Sequence, residues 1–229
     1  MNNINYSLSS HIALHEKKRS LYRYICGLLA GIMCIIIISS NMSITVSADD
    51  YPKAPDIESG NCILMDADSG IVLYEKNSGE KCYPASVTKL MTALIVAENC
   101  NLGDTLTVSR NAVSSVKYGD AAAGLKTGEE FTVEQALNVM LIKSANDMAY
   151  ALGEYAGGSI ANFANMMNKK AEELGCLNTH FTNASGLTDL NHYTTAYDMA
   201  LICRKVLGYP AIMNAISYNK SYSVPPTNK

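Results

Sequence analysis

Tryptophan is absent, and phenylalanine occurs three times against fourteen tyrosines. The 48% hydrophobic share therefore rests on aliphatic residues, methionine and tyrosine, which is enough for a sizeable core in one domain. Charge is sparse and balanced: 18 Lys and Arg against 21 Asp and Glu leave a net charge of -3, with no basic stripe. That excludes the electrostatic footprint of a nucleic-acid-binding protein. There is no internal repeat and no low-complexity segment, which excludes a solenoid or a propeller.

Cysteine is present but not in a useful pattern. Of the seven, Cys26 and Cys34 lie in an N-terminal apolar run. The remaining five, Cys62, Cys82, Cys100, Cys176 and Cys203, are odd in number and widely spaced. Neither a disulfide framework nor a zinc-ligand pattern has that form. Free, buried thiols are expected. His180 and His192 have Asp residues near them, but hydrogen bonding within a loop accounts for them better than a metal does.

The N-terminus has the layout of a targeting segment. Lys17, Lys18, Arg19 and Arg23 precede an unbroken apolar run from Ile25 to Ile38. Val46-Ser47-Ala48 supplies small residues before Asp49-Asp50, as at a signal-peptide cleavage site. The alternative is an uncleaved anchor and membrane association, although the run is short for a spanning helix. Both readings put the rest of the chain outside the cytoplasm. The expected division is 1–48 signal peptide or anchor, 49–60 an extended lead-in, and 61–229 one catalytic domain.

What the chain has instead is Pro84-Ala85-Ser86-Val87-Thr88-Lys89 followed by the apolar run Leu90 to Ala97. Ser86 and Lys89 stand at i and i+3, one helix face. A serine hydroxyl becomes a good nucleophile when a nearby base takes its proton. A lysine amine is such a base if burial holds it neutral. A helix start also points backbone N–H groups at developing negative charge. A Ser at a helix start is equally an ordinary cap, so this stretch alone leaves both readings open.

The organisation around it is a hairpin followed by a helical block. Cys62–Met65 and Ile71–Tyr74 are short apolar runs joined by Asp66-Ala67-Asp68-Ser69-Gly70, a turn sequence. The Ser86 helix is expected to run to about Glu98, and Leu106–Val108 to be extended. Thr132-Val133-Glu134-Gln135 is a capping box opening the next helix. Lys143-Ser144-Ala145-Asn146-Asp147 interrupts it before a second helix through Tyr155. Further helices follow the caps Ser159 and Thr195, separated by a polar loop from His180 to Tyr193. No obvious strand is expected after residue 110. A two-stranded hairpin is not stable alone, so the chain is expected to lack a C-terminal part.

Ser144-Ala145-Asn146 is the second candidate motif. At a helix junction its hydroxyl and amide can reach the Ser86–Lys89 pair and a peptide. The plain alternative is a helix break with Asn146 as cap.

With these motifs in this order, the chain resembles the low-molecular-weight, penicillin-binding D-alanyl-D-alanine carboxypeptidases over essentially all of residues 60–229. The resemblance rests on Ile63-Leu64-Met65-Asp66-Ala67 with Gly70 and Val72-Leu73-Tyr74, on Pro84 to Ala93, and on Ser144-Ala145-Asn146-Asp147. It extends to His180-Phe181-Thr182-Asn183, Gly186-Leu187 and His192 to Ala196 with Asp198-Met199-Ala200. It implies an α+β, β-lactamase/transpeptidase-like fold: an antiparallel sheet with helices on both sides and a large helical subdomain, with the C-terminal strands missing from this chain. It implies a bacterial, extracytoplasmic serine peptidase that removes D-alanine from peptidoglycan stem peptides ending in D-Ala-D-Ala. Ser86 would be the nucleophile, Lys89 its base, Ser144 a catalytic proton relay and Asn146 a substrate-binding residue. No metal or cofactor would be needed, and β-lactam antibiotics would acylate Ser86.

The sequence also departs from the family pattern. The family's third motif, Lys-Thr-Gly on a sheet-edge strand, follows the second. Lys126-Thr127-Gly128 spells those letters but precedes Ser144, in a glycine-rich turn, and reads as a decoy. The true motif is expected beyond Lys229, which leaves this chain incomplete for turnover. Glu134-Gln135-Ala136-Leu137-Asn138 mimics a class A β-lactamase motif but also comes too early. The loop from His180 to Ala196 has no Glu to activate a deacylating water. A β-lactamase, or a non-catalytic wall-stem binding protein, is the alternative function. Asn183-Ala184-Ser185 matches a glycosylation sequon, which a bacterial family makes irrelevant.

Overall fold

A computed structural model describes residues 23–29, 32–33, 54, 56–217 and 221–224. The chain divides into two compact units, Met1–Pro55 and Asp56–Lys229. In the first, residues 23–29 and 32–33 are helical. The rest of the expected targeting segment, including Val46-Ser47-Ala48, lies outside the described residues. Among the described residues no single helix is long and apolar enough to cross a membrane.

The second unit opens with the expected hairpin. β1 (Cys62–Met65) pairs antiparallel with β2 (Val72–Lys76), with a register shift between Leu64 and Met65. Asp66 builds the turn. Its carboxylate accepts from the Ser69 backbone N–H at 2.8 Å and hydroxyl at 2.5 Å, and Gly70 takes φ +76°. Arg204 braces the turn from outside by donating to the carbonyls of Ala67 and Asp68.

The helical block is built around α1 (Thr88–Asn99). Met91, Ala93, Leu94, Ile95 and Val96 are each no more than 2% exposed, so the helix is buried on every side. Each such large side chain contributes about 1.5–3 kcal/mol of burial. Strand β3 (Thr105–Thr107) and the short helix α2 (Arg110–Ser114) follow, with Ser109 as the α2 cap. Strand β4 (Glu130–Thr132) then pairs with β3, opposing Leu106 to Phe131. The absence of strands after residue 110 is corrected here: β4 is too short to show a period in sequence, and its partner β3 defines it.

Helix α3 (Val133–Lys143) begins at the expected capping box, with Thr132 and Gln135 exchanging side-chain and backbone bonds. Helices α4 (Asn146–Gly157), α5 (Ile160–Glu173), α6 (Ala196–Val206) and α7 (Pro210–Ile216) complete the block. Ser159 and Thr195 cap α5 and α6 as expected, and Pro210 stands in the first turn of α7. Helices α3 to α7 all pack on α1, and α6 also packs on β1. Helix α6 therefore joins the hairpin to the block.

Lys126-Thr127-Gly128 forms a turn. Glu129 N–H donates to the Lys126 carbonyl and Gly128 takes φ +83°. The described cysteines of this unit, Cys62, Cys82, Cys100, Cys176 and Cys203, are free. Burial, helped by Asp198, pushes the Cys176 thiol up to about 12, so it is inert.

Candidate active site

Ser86 does not start the α-helix. It lies in a 3-10 turn, Ala85–Val87, just ahead of α1. Ala85 holds φ +48°, a strained value for a residue with a Cβ. The turn leaves Ser86 exposed, while Lys89, one turn on, is 2% exposed. Nucleophile and base thus share one face at different depths.

Lys89 Nζ is surrounded by three acceptors. Ser86 Oγ lies at 3.0 Å, Asn146 Oδ1 at 2.7 Å and the Ser185 carbonyl oxygen at 2.9 Å. None of the three is charged. Burial without a counter-charge lowers the lysine to about 8. The geometry also orients the neutral amine. Two of the acceptors are carbonyl-type oxygens that cannot donate, so the two N–H bonds of a neutral amine go to them. The lone pair then faces the Ser86 hydroxyl.

The second motif is placed by an unusual helix junction. Ser144 ends α3 in the left-handed region at φ +56°, and Ala145 is extended. Ala145, not Asn146, is the N-cap of α4, and it makes no side-chain cap bond. Asn146 is the first residue inside the helix, and its backbone N–H donates to the Ala121 carbonyl at 2.9 Å. Its amide oxygen is free for Lys89. Between a capping role and a site role for Asn146, the structure selects the site.

The structure brings Ser86, Lys89 and Asn146 together. It places Ser144 one residue from the buried Ala145, but among the described residues Ser144 makes no hydrogen bond to the other three. Two groups had no role in the sequence reading, the Ser185 carbonyl and Asp147. The Ser185 carbonyl is a backbone atom, and no residue pattern marks it. Asp147, 1% exposed, accepts from the backbone N–H groups of Ala123, Gly124 and Leu125 at 2.9, 2.9 and 3.2 Å. It fastens the 121–125 segment beside Asn146; an Asp directly after the motif was the available signal. His192, also buried, bonds Thr88 and Thr182. Its ring is engaged in loop hydrogen bonding, the role expected in preference to a metal. Asn183 is likewise occupied, accepting from Ser185 N–H and Gly186 N–H within the loop.

The chain matches a family model described as D-alanyl-D-alanine carboxypeptidase over residues 48–226. It is 36% identical over 214 residues to the D-alanyl-D-alanine carboxypeptidase DacF of Bacillus subtilis, covering 90% of this chain and 53% of that protein. It is 34% identical over 189 residues to DacC of Escherichia coli, covering 79% and 46%. Among solved structures, penicillin-binding protein 6B from Escherichia coli superposes with TM-score 0.71 at 30% identity, covering 78% of this chain and 59% of that one. The carboxypeptidase DacD from Francisella tularensis gives 0.68 at 34% identity, covering 72% and 41%. The chain spans about half the length of the curated relatives it matches.

Proposed function

This chain belongs to the D-alanyl-D-alanine carboxypeptidase family and has its penicillin-binding, transpeptidase-like fold, and on that premise we propose that it is a serine-type D-Ala-D-Ala carboxypeptidase of the bacterial cell wall. The substrate is a peptidoglycan stem peptide ending in D-Ala-D-Ala, and β-lactam antibiotics act as inhibitors that acylate the same serine. The single observation that carries the reading is the arrangement around Lys89: an exposed Ser86 hydroxyl 3.0 Å from a buried amine held by two carbonyl-type oxygens.

The chemistry follows from that geometry. Neutral Lys89 takes the Ser86 proton as Oγ attacks the carbonyl carbon of the penultimate D-alanine. The resulting oxyanion meets the Ser86 backbone N–H in the 3-10 turn that precedes α1. The C–N bond then breaks, the terminal D-alanine leaves with a proton returned from Lys89, and an ester on Ser86 remains. Water cleaves that ester, and Ser86 recovers its proton. Asn146 holds Lys89 and contacts the peptide, while Ser144, at the same junction, relays protons during leaving-group departure and ester hydrolysis.

Residues 61–229 are assigned to the catalytic domain, 1–48 to a secretory signal or retained anchor, and 49–60 to the lead-in. The site then faces the wall outside the cytoplasm, and a retained anchor would hold the protein at the membrane. The supporting feature is the basic region, apolar run and small residues at 46–48.

The test is labelling with fluorescent penicillin alongside D-alanine release from a peptide ending in D-Ala-D-Ala. In protein of the full length of its relatives, of which this chain spans about half, wild type is expected to take the label and release D-alanine, and Ser86→Ala to do neither. Label persisting in Ser86→Ala would overturn the nucleophile. Absence of both signals in wild type would favour a non-catalytic wall-stem binding protein.

A further inference from the structure

Of the three partners of Lys89, two are side chains of recognisable motifs. The third, the Ser185 carbonyl, depends on how the segment Phe181–Leu187 is held. Asn168 of α5 seals its first residue, accepting from Phe181 N–H at 2.7 Å and donating to the Phe181 carbonyl at 2.9 Å. Thr92 of α1 donates to the Ala184 carbonyl at 2.6 Å. Gly186 lies so close to the strained turn that a Cβ there would meet the Ala85 carbonyl oxygen at 1.8 Å. The segment is therefore pressed directly against the Ser86 turn.

His192 is the remaining tie, and it uses both ring nitrogens. The Thr182 backbone N–H donates to Nδ1 at 3.1 Å. An amide N–H can only donate, so Nδ1 carries the lone pair and Nε2 the hydrogen. Nε2 then donates to Thr88 Oγ1 at 2.9 Å. Thr88 is one of the two residues between nucleophile and base. The imidazole is 2% exposed, with Phe181 edge-on at 5.5 Å.

We propose that His192 is a positioning residue for the Ser86–Lys89 pair: as the neutral Nε2–H tautomer it bridges Thr88 to the Thr182 amide and so presents the Ser185 carbonyl to Lys89. The titratable groups near His192 are Asp189 in its own loop and His180. Lys89 has no charged partner, only Ser86, Asn146 and Ser185. Burial is what lowers Lys89. Releasing the segment admits water and returns the amine toward the ordinary lysine value.

The kinetic arm of the test rests on the proposed acyl-enzyme chemistry; the titration arm does not. In full-chain protein with 13C-labelled lysine, the Lys89 Cε resonance is titrated in wild type, His192→Gln, His192→Ala and Thr88→Val. A glutamine side chain offers one donor and one acceptor but does not titrate. Wild type and His192→Gln are expected to titrate together, with His192→Ala and Thr88→Val shifted upward by about one unit or more. Penicillin acylation at pH 7 should then fall about tenfold in the two shifted variants and recover at higher pH. Thr88→Val, which keeps the side-chain shape, decides the matter if His192→Ala does not fold. Identical Lys89 titrations in all four proteins would overturn the proposal, as would a shift in His192→Gln as large as in His192→Ala. If wild type takes no penicillin, the proposed activity falls and the lysine titrations still decide the role of His192.

Discussion

The amide oxygen of Asn146 lies 2.7 Å from the amine of Lys89, across 57 residues of chain. It is one of two carbonyl-type oxygens that leave the lysine lone pair nowhere to point but at Ser86. Asn146→Ala should therefore misdirect the base rather than remove it. Acylation by penicillin is expected to fall about 10²-fold with folding intact. Stopped-flow acylation kinetics with a circular dichroism control measure this.

The pH dependence of acylation should report Lys89. Its value of about 8 means that roughly a tenth of molecules carry the neutral base at pH 7. The acylation rate should rise with pH, close to tenfold per unit below 8, and level off above it. A rate independent of pH between 6 and 8 would remove Lys89 from the base role; the range is set by that same value.

Asp147 holds the 121–125 segment through backbone N–H groups at Ala123, Gly124 and Leu125. Asp147→Ala leaves these donors and Met148 N–H without their acceptor. The expected loss is about 3–5 kcal/mol in urea unfolding, in the range for breaking a buried charged network. Hydrogen exchange should accelerate at residues 123–125 first.

His192 makes stability depend on pH in a defined window. Burial lowers it to about 4 from an ordinary 6.5, with Asp189 pulling it up and His180 pushing it down by less. Between 4 and 6.5 the unfolded chain binds a proton that the folded chain excludes. The His192 contribution is thus intact above 6.5, is lost progressively as pH falls toward 4, and changes no further below that. The full difference is about 3 kcal/mol. His192→Gln should flatten this slope relative to wild type in unfolding measured across the window.

Much of the frame was legible locally because its signals are local. The Asp66–Gly70 turn, the Thr132–Gln135 box and the Ser159 and Thr195 caps are each decided within a few residues. Lys126-Thr127-Gly128 was readable as a turn for the same reason. Strand β4 was not, because three residues show no period and only pairing with β3 makes a strand. The start of α1 was also displaced: Ser86 sits in a 3-10 turn whose Ala85 φ of +48° no propensity would predict.

By itself the sequence determined the pairing of a serine with a lysine one turn away, the apolar run that buries the lysine, and the order of motifs that marks the family. Those are properties of residue type and spacing, carried by every conformation of the chain. Only the tertiary structure decided which way the lysine lone pair points. That direction depends on a backbone carbonyl at Ser185, brought in from a remote loop, and an amide at Asn146, brought in by the first residue of α4. It also depends on a buried histidine whose tautomer is set by a backbone N–H. Backbone atoms leave no mark in a residue pattern, so the nucleophile and base could be read from the letters, but the groups that aim them could not.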